Sequence, residues 1–471
     1  MHPRLQQDLD QLPQILEYTC TLAQEFLANI ATRPVCPAPE RQQLPAEEAS
    51  LAENGEGALA ALAHFWQRYA AGLSGSTGPR YFGFVTGGST PAALAADWLV
   101  SATDQNSQLS HDTIAAAVEL ATIEQLKALL GLPAAFTGSF VSGATMANFT
   151  GLAIGRQWLG LQRGIDVARQ GLWALGPLQV FSANPHSSSV KALSMLGIGR
   201  EALTIVATLP NSEAIDPMAL ERHLAAGNGL PTLVLASGGT VNTAAFDNLP
   251  ALLALRERYP FWLHVDAAFG GIAAGSERYA HLLAGWQQAD SITVDAHKWL
   301  NVPYDSAIQL TRHLEVQMQV FNNHASYLEA AELRPDNYLH LTPENSRRFR
   351  ALPLWMAFKA YGRSGIRDII ERNVGLAQQL GEALAASPGF RLLAPVNLNI
   401  ICFALEGVQG DAVAARDRFL ARLDRHGAVR CTPTAYQGQP GIRAALVNWM
   451  TREHDIQIAL DAIRACRQEA Q

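Results

Sequence analysis

The sequence predicts an α/β protein with a mainly parallel central sheet and a smaller C-terminal α+β domain. Short apolar runs alternate with helical stretches from about residue 134, which is the pattern of parallel strands joined by crossover helices. The pattern changes after about residue 355, where helical segments flank isolated strand candidates. The chain has 471 residues, of which 48% are hydrophobic and 16% charged. It therefore has enough apolar material for a large core, and it is longer than the roughly 250–300 residues that one core holds.

The net charge and the cysteines exclude several classes of protein. A net charge of −7 argues against nucleic acid or an anionic membrane as the main partner. The cysteines are odd in number and form no C-x-x-C pair, so we expect no disulfide framework, no zinc site and no other metal. The N-terminus lacks an apolar signal-like region, and no apolar run reaches about 18 residues. We therefore expect a cytoplasmic protein.

The first 77 residues are predicted to form an N-terminal helical segment. Residues 5–30 place apolar side chains at helical spacing, a proline-rich stretch at 33–39 ends that helix, and a second helix covers about 56–69. The apolar stripe of the first helix must be buried against the chain's own domain or against a partner subunit. We expect residues 1–77 to take part in packing between subunits.

Residues 78–355 are predicted to form the large α/β domain. Six apolar runs in it are each short enough for a strand that is buried on both faces. These runs are 140–141, 178–181, 203–206, 233–235, 261–265 and 292–294. In such sheets, ligands bind beyond the carboxyl ends of the strands, so the chemistry is expected just after these runs.

Residues 356–471 are predicted to form the small C-terminal α+β domain. Its strand candidates are residues 398–403 and a run near 443–447. Helical segments flank them, and no internal repeat or low-complexity segment is present in the chain.

Lys298 is the first candidate for chemistry. The run at 292–294 leads directly to Asp295, His297 and Lys298, followed by the bulky Trp299. A desolvated lysine near another cation has a lowered pKa and can attack an aldehyde as an amine nucleophile. His297 could donate a hydrogen bond to a phosphate. Taken alone, a lysine after a strand is more often a solvated surface charge.

Asp266 follows the apolar run at 261–265. A carboxylate at that place is costly unless it meets a cation. It could cap a following helix, which is the usual role of a single aspartate there. It could also pair with a protonated pyridine nitrogen, which keeps a cofactor ring positive and able to absorb electrons.

Three further segments follow predicted strands and supply small or polar groups. Residues 142–148 offer small side chains and a hydroxyl at a helix start, where backbone N–H groups can bind phosphate. His186 could stack on a flat ring, and Thr240 ends another strand. A phosphate cup, a stacking ring, an acid for a pyridinium and an amine for an aldehyde are together specific for pyridoxal 5′-phosphate (PLP).

From about residue 78 to the C-terminal region, the sequence resembles the group II PLP-dependent amino-acid decarboxylases. The resemblance is carried by a His-Ser-Ser segment at 185–191 and by three longer blocks. These blocks are His264-Val265-Asp266-Ala267-Ala268-Phe269-Gly270-Gly271, Asp295-Ala296-His297-Lys298-Trp299-Leu300 and Arg347-Arg348-Phe349-Arg350-Ala351-Leu352. The family implies a PLP-dependent transferase fold of the aspartate aminotransferase class (fold type I) and a homodimer with active sites at the subunit interface.

The resemblance implies a role for each site residue. Lys298 holds PLP as a Schiff base, Asp266 pairs with the pyridine nitrogen, and His186 stacks on the ring. The other implied cofactor-binding residues are Ala144, Thr145, Thr240, Ala268, Asp295 and His297. Among them, the resemblance implies that Ala144, Thr145 and His297 bind the phosphate.

Tyr327 indicates which reaction to expect. Residues of about 322–346 resemble the family's mobile catalytic loop, in which a tyrosine hydroxyl donates a proton to Cα after CO₂ has left. Related amine-oxidising aldehyde synthases generally have phenylalanine at this place. Tyr327 therefore favours a carboxy-lyase that converts an L-amino acid to its amine and CO₂. Without the flanking match, it would be an ordinary aromatic residue of a surface loop.

Residues 79–86 resemble the family's loop that contacts the side chain of the substrate. The predicted substrate-binding residues are Arg80, Phe84, Val85 and Thr86. The aromatic content of the segment slightly favours a flat aromatic substrate. Arg80 could equally meet an acidic side chain.

Two departures from the family pattern leave the subfamily open. Met146 stands where many members have an acidic residue, and Val241-Asn242-Thr243-Ala244 lacks the glycine that many members have after the threonine. An aminotransferase or an aldehyde synthase is therefore an alternative, and Arg443 could be a carboxylate-binding arginine of the transaminase kind. A non-catalytic PLP-fold protein with a binding or regulatory role is the alternative from another class, but the lysine, aspartate and histidine argue against it.

Overall fold

The computed structural model describes residues 1–108, 113–323 and 333–468. Its helices are α1 (Pro3–Asp10), α2 (Leu12–Ala28), α3 (Ala58–Tyr69), α4 (Pro91–Thr103), α5 (Ala115–Leu130), α6 (Ala144–Leu161), α7 (Val167–Gln170), α8 (Leu172–Leu175), α9 (Ser187–Met195), α10 (Pro217–Ala226), α11 (Leu249–Arg256), α12 (Ala296–Trp299), α13 (Leu314–Phe321), α14 (Ala351–Ala385), α15 (Ala412–His426) and α16 (Glu453–Gln468). Its strands are β1 (Thr137–Val141), β2 (Gln179–Ser182), β3 (Leu203–Ile205), β4 (Thr232–Ser237), β5 (Trp262–Asp266), β6 (Ser291–Val294), β7 (Ala307–Thr311), β8 (Phe390–Leu392), β9 (Ile400–Leu405), β10 (Thr432–Tyr436) and β11 (Gln439–Ala445).

The central sheet is mainly parallel, as predicted. Among the described residues, its seven strands run in the order β1-β7-β6-β5-β4-β2-β3. The neighbours among β6, β5, β4, β2 and β3 pair in parallel. Strand β7 is antiparallel to both β1 and β6. Since β7 reverses direction between them, β1 points the same way as β6. The carboxyl ends of β1, β2, β4, β5 and β6 therefore lie at one edge of the sheet.

Each of the six predicted apolar runs overlaps one strand of this sheet. The strand β7 was not predicted. Its sequence contains Gln309, which is fully buried and accepts hydrogen bonds from Ser139 Oγ and Gln317 Nε2. A buried polar residue that is paired inside the protein interrupts the apolar pattern by which a sequence indicates a core strand.

The C-terminal region contains a small antiparallel sheet in the order β10-β11-β9-β8. The two predicted strands overlap β9 and β11, so the predicted fold class is confirmed for this region as well. α14 connects the two parts of the chain and is kinked at Gly362, whose φ of 59° interrupts the helix. The predicted domain limit at residue 355 falls inside α14, and the domain limits stay a prediction.

The predicted helix over residues 5–30 is divided into α1 and α2 at Gln11. Pro13 lies in the first turn of α2, where its missing N–H costs no hydrogen bond. α1 buries none of its residues, and α2 buries Leu22 alone. Both helices therefore leave apolar side chains uncovered by the described chain. These are Leu5, Leu9, Leu12, Leu16 and Leu27.

An apolar groove of about 640 Å³ lies beside these helices. Its walls come from α2, α3 and α4 and include Phe26, Trp66, Trp98 and Trp449. Trp98 of α4 is 42% exposed and its neighbour Leu99 is 51% exposed. The exposed apolar surface is thus continuous from the N-terminal helices to α4.

A fully buried ion pair joins α5 to the segment before α14. Arg347 Nη2 lies 2.7 Å from Glu119 Oε1, and neither side chain is exposed. The guanidinium also donates to the carbonyl oxygens of Ser107 and Phe140. Glu119 in turn accepts the backbone N–H of Phe140 at 2.9 Å. The pair therefore braces the end of β1 just before the turn that leads into α6.

In the described ranges, no helix is long and apolar enough to cross a bilayer. The same ranges contain no group of three or more His, Cys, Asp or Glu residues that could hold a metal ion. The five cysteines are free thiols.

Candidate active site

The predicted site residues lie at the edge where the carboxyl ends of the parallel strands meet. The ends of neighbouring strands β5 and β6 carry Asp266 and the segment of Lys298. β2 leads to His186 at the start of α9, and β1 leads to the start of α6. Asp266, Lys298, Arg443 and Asp295 all lie close enough to His186 to influence its pKa, so the strand ends bring these groups near one another.

Asp295 organises the segment that carries Lys298. Lys298 Nζ lies 3.5 Å from Asp295 Oδ2, which also accepts the backbone N–H of Ala144 at 3.3 Å. Asp295 Oδ1 lies 3.0 Å from His297 Nε2, but the N–H is not aligned with it, so this oxygen accepts no hydrogen bond within the described residues. The Lys298 side chain is 17% exposed and faces the cleft.

His297 has one ring nitrogen in use and one available. Its Nδ1 accepts the backbone N–H of Ser306 at 3.1 Å, so a neutral ring carries its proton on Nε2. The ring packs against Tyr304, with the centroids 4.4 Å apart. His297 can therefore donate from Nε2 to an anion, as predicted from the sequence.

The start of α6 offers backbone donors. Gly143 precedes this 18-residue helix without a side-chain cap, and the N–H of Thr145 has no acceptor among the described residues. A side chain at position 143 would meet the His297 ring at 3.5 Å, so the helix start and His297 are neighbours. Uncapped N–H groups at a helix start, with an imidazole beside them, suit a phosphate group.

Asp266 is held by three donors. Its Oδ2 accepts Asn148 Nδ2 at 2.9 Å and Ser189 Oγ at 3.4 Å. Its Oδ1 accepts the backbone N–H of Ala268 at 3.2 Å. The N–H of Asp295 in turn donates to the carbonyl oxygen of Ala268, which ties the ends of β5 and β6 together.

His186 faces the cleft with one side of its ring open to solvent. Its Nδ1 accepts the backbone N–H of Ser188 at 3.2 Å, which caps α9. Desolvation by the surrounding protein lowers the pKa of His186, and the nearby Lys298 lowers it too, whereas Asp266 raises it. His186 therefore presents a neutral, flat ring at neutral pH.

Thr240 lies in a loop that is built around Glu213. The hydroxyl groups of Thr240 and Thr243 donate to Glu213 Oε2 at 2.6 and 2.8 Å, and Asn242 Nδ2 donates to Oε1 at 2.9 Å. Glu213 is 7% exposed. The hydroxyl of Thr240 thus donates to Glu213 inside the loop. Thr240 contributes its backbone position to the cleft.

Arg443 of β11 is a buried cation without a carboxylate at ion-pair distance within the described residues. Its Nη1 donates to the carbonyl oxygen of Val241 at 3.1 Å, and its Nε has no partner there. Burial lowers the pKa of Arg443, while Cys402 and Glu213 raise it. An arginine in this state can accept a carboxylate from a ligand.

The predicted substrate-binding residues have different surroundings. A Cβ on Gly87 would lie 1.8 Å from the carbonyl oxygen of Lys298, so the chain passes Lys298 at a distance that only glycine allows. Thr86 Oγ1 lies 3.3 Å from the Tyr304 hydroxyl. Phe84 is 62% exposed with a φ of 55°, whereas Val85 is buried in the core.

Arg80 is not brought into the cleft. Its Nη1 lies 2.8 Å from Asp455 Oδ1, and its Nε donates to the carbonyl oxygen of Ala428. Its Nη2 donates to the carbonyl oxygen of Ala31. The guanidinium is therefore occupied by internal partners and is not free for a substrate. Tyr327 lies outside the described residues.

The sequence alone missed Asn148, His264, Glu213 and Tyr304. Asn148 and His264 are fully buried polar residues in apolar segments, and that pattern is the signal that could have identified them. Glu213 and Tyr304 lie in loops, where their partners depend on the folded arrangement.

The cleft fits PLP group by group. Lys298 provides an amine for the aldehyde, Asp266 a carboxylate for the ring nitrogen and His186 a flat ring. The Nε2–H of His297, which lies beside Asp295, and the N–H of Thr145 at the start of α6 could provide donors for the phosphate.

The comparisons with known proteins agree with this chemistry. Residues 39–406 match the family model described as the pyridoxal-dependent decarboxylase conserved domain. The chain is 30% identical over 405 residues to the aromatic-L-amino-acid decarboxylase of Bacillus atrophaeus, with 83% of this chain and 82% of that protein covered. It is also 30% identical over 339 residues to the cysteine sulfinic acid decarboxylase of Rattus norvegicus, with 69% of this chain and 66% of that protein covered. The crystal structure of Oryza sativa TDC with PLP and tryptamine superposes with a TM-score of 0.88 at 22% identity, and 98% of each chain is covered.

Proposed function

The chain belongs to the family of pyridoxal-dependent decarboxylases, and from this premise we propose that it converts an aromatic L-amino acid to the corresponding amine and CO₂. PLP is the cofactor, and the enzyme is a carbon–carbon lyase. The observation that carries the proposal is the placement of Asp266 and Lys298 at the ends of neighbouring strands, where both influence the pKa of His186.

Bound PLP supplies an electron-poor ring that accepts the electron pair of the bond between Cα and the carboxylate. Lys298 Nζ would hold the cofactor through its aldehyde. Asp266 would hold the ring nitrogen, because a carboxylate nearby favours the charged pyridinium. His186 would offer its flat neutral ring to the cofactor, and the start of α6 with His297 would hold the phosphate.

Arg443 is our candidate for contact with the substrate carboxylate. It is buried, and within the described residues it has no carboxylate at ion-pair distance. A charged group that is left without a counter-ion in a protein interior is costly unless a ligand supplies one. This role also suits the aminotransferase alternative, so Arg443 alone does not separate the two reactions.

The aromatic substrate class is supported by the position of Arg80. An acidic side chain would need a cation in the predicted pocket segment, and the guanidinium of Arg80 is engaged by Asp455. The same segment presents Phe84 to solvent, three residues before the glycine that contacts Lys298. An exposed aromatic ring at the edge of the cleft is suited to a flat apolar side chain.

We further propose that Tyr327 donates the proton that replaces CO₂ at Cα. The overall reaction takes up one proton for each CO₂ released, and a phenol hydroxyl is a suitable general acid. If the proton is not delivered at Cα, O₂ can oxidise the same carbon, and aldehyde, ammonia and hydrogen peroxide are formed in place of amine.

A substrate screen tests the proposed function. Purified, PLP-loaded protein is incubated with each common L-amino acid, and CO₂, amine, keto acid, aldehyde and peroxide are measured. We expect equal amounts of CO₂ and amine from one or more of tyrosine, tryptophan, phenylalanine and their hydroxylated forms. Amine from glutamate or cysteine sulfinate alone would contradict the aromatic proposal, and keto acid without CO₂ would contradict decarboxylation.

The Tyr327→Phe variant is the matched comparison in that screen. It removes one oxygen atom, so PLP binding should be unchanged while amine formation falls by about 10²-fold or more. Wild-type amine output from this variant would rule out the proton-donor role.

We also propose a homodimer that forms through the uncovered apolar surface of α1, α2 and α4. Leu16 and Trp98 are 58% and 42% exposed on this surface, and surfaces of this kind mark subunit contacts. Light scattering should give about twice the 50.8 kDa chain mass, and the double variant Leu16→Glu/Trp98→Glu should shift it toward the monomer. Met218→Glu, which changes an exposed residue of α10, should leave the mass unchanged. A monomeric wild-type protein would refute the proposal.

We propose a cytoplasmic location, since free thiols are typical of a reducing compartment.

A further inference from the structure

We propose that a one-way series of buried hydrogen bonds, running from Trp262 through Ser291, His264 and Asn148, orients the Asn148 amide so that it donates to Asp266 and holds that carboxylate in place. Asn148 and His264 are therefore positioning residues for the cofactor's ring nitrogen. The inference rests on the proposed placement of PLP against Asp266.

The series is continuous in the structure. Trp262 Nε1 donates to Ser291 Oγ at 3.0 Å, and Ser291 Oγ lies 2.8 Å from His264 Nδ1. His264 Nε2 lies 2.9 Å from Asn148 Oδ1, and Asn148 Nδ2 donates to Asp266 Oδ2 at 2.9 Å. The first four side chains are fully or almost fully buried.

The direction of each hydrogen bond follows from the groups themselves. The oxygen Oδ1 of Asn148 can only accept, so His264 must carry its proton on Nε2. A neutral ring then has Nδ1 as an acceptor, which takes the hydroxyl proton of Ser291. Ser291 Oγ remains free to accept from the indole of Trp262, which can only donate. Every donor in the series thus points toward Asp266.

Thr293 is a second donor that fixes the orientation of the Asn148 amide. Its Oγ1 donates to Asn148 Oδ1 at 2.7 Å, so both acceptor positions of that oxygen are filled. A flipped amide would place the NH₂ group against two donors and the oxygen against the Asp266 carboxylate. With the observed orientation, Ser188 Oγ and Ser189 Oγ each lie 3.1 Å from Nδ2 and share its second proton.

The protonation state of His264 supports this direction. Burial lowers the pKa of His264 to about 4, although the nearby Asp266 raises it. The ring is therefore neutral across the working pH range and has one donor and one acceptor nitrogen. A Cβ on Gly151 would lie 2.9 Å from this ring, so α6 packs tightly enough to hold the ring plane.

The effect at Asp266 is to fix its carboxylate in place. An amide, a hydroxyl and a backbone N–H donate to it, from Asn148, Ser189 and Ala268. Polarised hydrogen-bond series in a buried environment strengthen one another. A carboxylate held in this way would meet the protonated ring nitrogen of the cofactor.

Two variants of His264 separate this role from simple packing. His264→Leu removes the donor to Asn148, whereas His264→Gln retains one donor and one acceptor. The readouts are the ¹⁵N chemical shift of the ring nitrogen of bound [¹⁵N]PLP and the dissociation constant of PLP. We expect a pyridinium shift for the wild type and His264→Gln. For His264→Leu we expect movement toward the unprotonated value and a dissociation constant raised roughly tenfold.

Trp262→Phe is the structural control. It removes a buried hydrogen bond of the same core at the far end of the series but leaves Ser291, His264 and Asn148 in place. The ring-nitrogen shift should move far less than in His264→Leu, because the donor to Asn148 is retained. Equal changes in Trp262→Phe and His264→Leu would overturn the proposal, and so would a wild-type shift and dissociation constant in His264→Leu.

Thr293→Val covers the case in which His264→Leu fails to fold. It removes only the second donor to Asn148 and should move the shift in the same direction by less. A wild-type shift in Thr293→Val, with His264→Leu unfolded, would also overturn the proposal. The proposed function fails separately: wild-type protein that does not bind PLP, or binds it with an unprotonated nitrogen, would contradict the assignment of Asp266 itself.

Discussion

Replacing Lys298 with alanine is expected to abolish covalent attachment of PLP and to lower amine formation by roughly 10³-fold or more. The nearest carboxylate to its amine in the cleft is Asp295, and the amine is partly open to the site. Without this amine, PLP can bind only through Asp266, His186 and its phosphate contacts. The variant should therefore lose the visible absorbance of lysine-bound cofactor and release PLP on dialysis.

The sequence makes this experiment unusually specific, because the chain contains four lysines: Lys127, Lys191, Lys298 and Lys359. Borohydride reduction of the wild-type complex followed by peptide mass spectrometry should place the cofactor on Lys298. Lys191→Ala changes an exposed lysine of α9, the helix that His186 caps, and should retain both absorbance and activity. Lysine-bound cofactor absorbance in Lys298→Ala would disprove the assignment.

Replacing Arg347 with leucine is expected to destabilise the fold by about 3–5 kcal/mol. The change leaves Glu119 as an unpaired charge in the interior, since neither side chain is exposed. It also leaves the carbonyl oxygens of Ser107 and Phe140 without their donor. The midpoint of urea unfolding should fall clearly, and PLP affinity should fall with it because the end of β1 leads to the phosphate-binding turn.

The neighbouring residue provides the control. Arg348 pairs with Asp97 near the surface, with side-chain exposures of 34% and 19%, so Arg348→Leu should cost at most about 1 kcal/mol. The double variant Arg347→Leu/Glu119→Leu should recover much of the stability that Arg347→Leu loses, because no buried charge is left unpaired. Equal destabilisation by Arg347→Leu and Arg348→Leu would show that the buried ion pair contributes no more to stability than the surface pair.

The central sheet could be predicted from sequence because its parallel strands are short apolar runs that are covered on both faces. The same reasoning failed for β7, where Gln309 is buried with polar partners. It also joined α1 and α2 into one helix, because apolar periodicity continues through Gln11 while the backbone turns there.

At the site, the residues proposed to meet the cofactor could be picked out from the sequence, because each follows a strand and carries unusual chemistry for that place. The residues behind them could not. His264 and Asn148 are hydrogen-bonded to each other although they are 116 positions apart in the sequence. Such pairing follows only from the folded arrangement. Arg80 is the opposite case, a residue that the sequence suggested for the site and the fold uses elsewhere. Its segment resembles a substrate loop, but its guanidinium pairs with Asp455.

The pairing of Arg80 with Asp455 has a consequence for how this enzyme can change. Asp455 lies in the first turn of α16, near the end of the chain, and Thr451 just before it donates to the carbonyl oxygen of Pro79. These contacts therefore hold the loop beside Lys298 against the start of α16. The loop is the one proposed to contact the substrate, so changes in that helix are expected to shift it and to alter which amino acids the enzyme accepts. Selectivity could thus evolve from the C-terminal end while the chemistry at Lys298 stays the same.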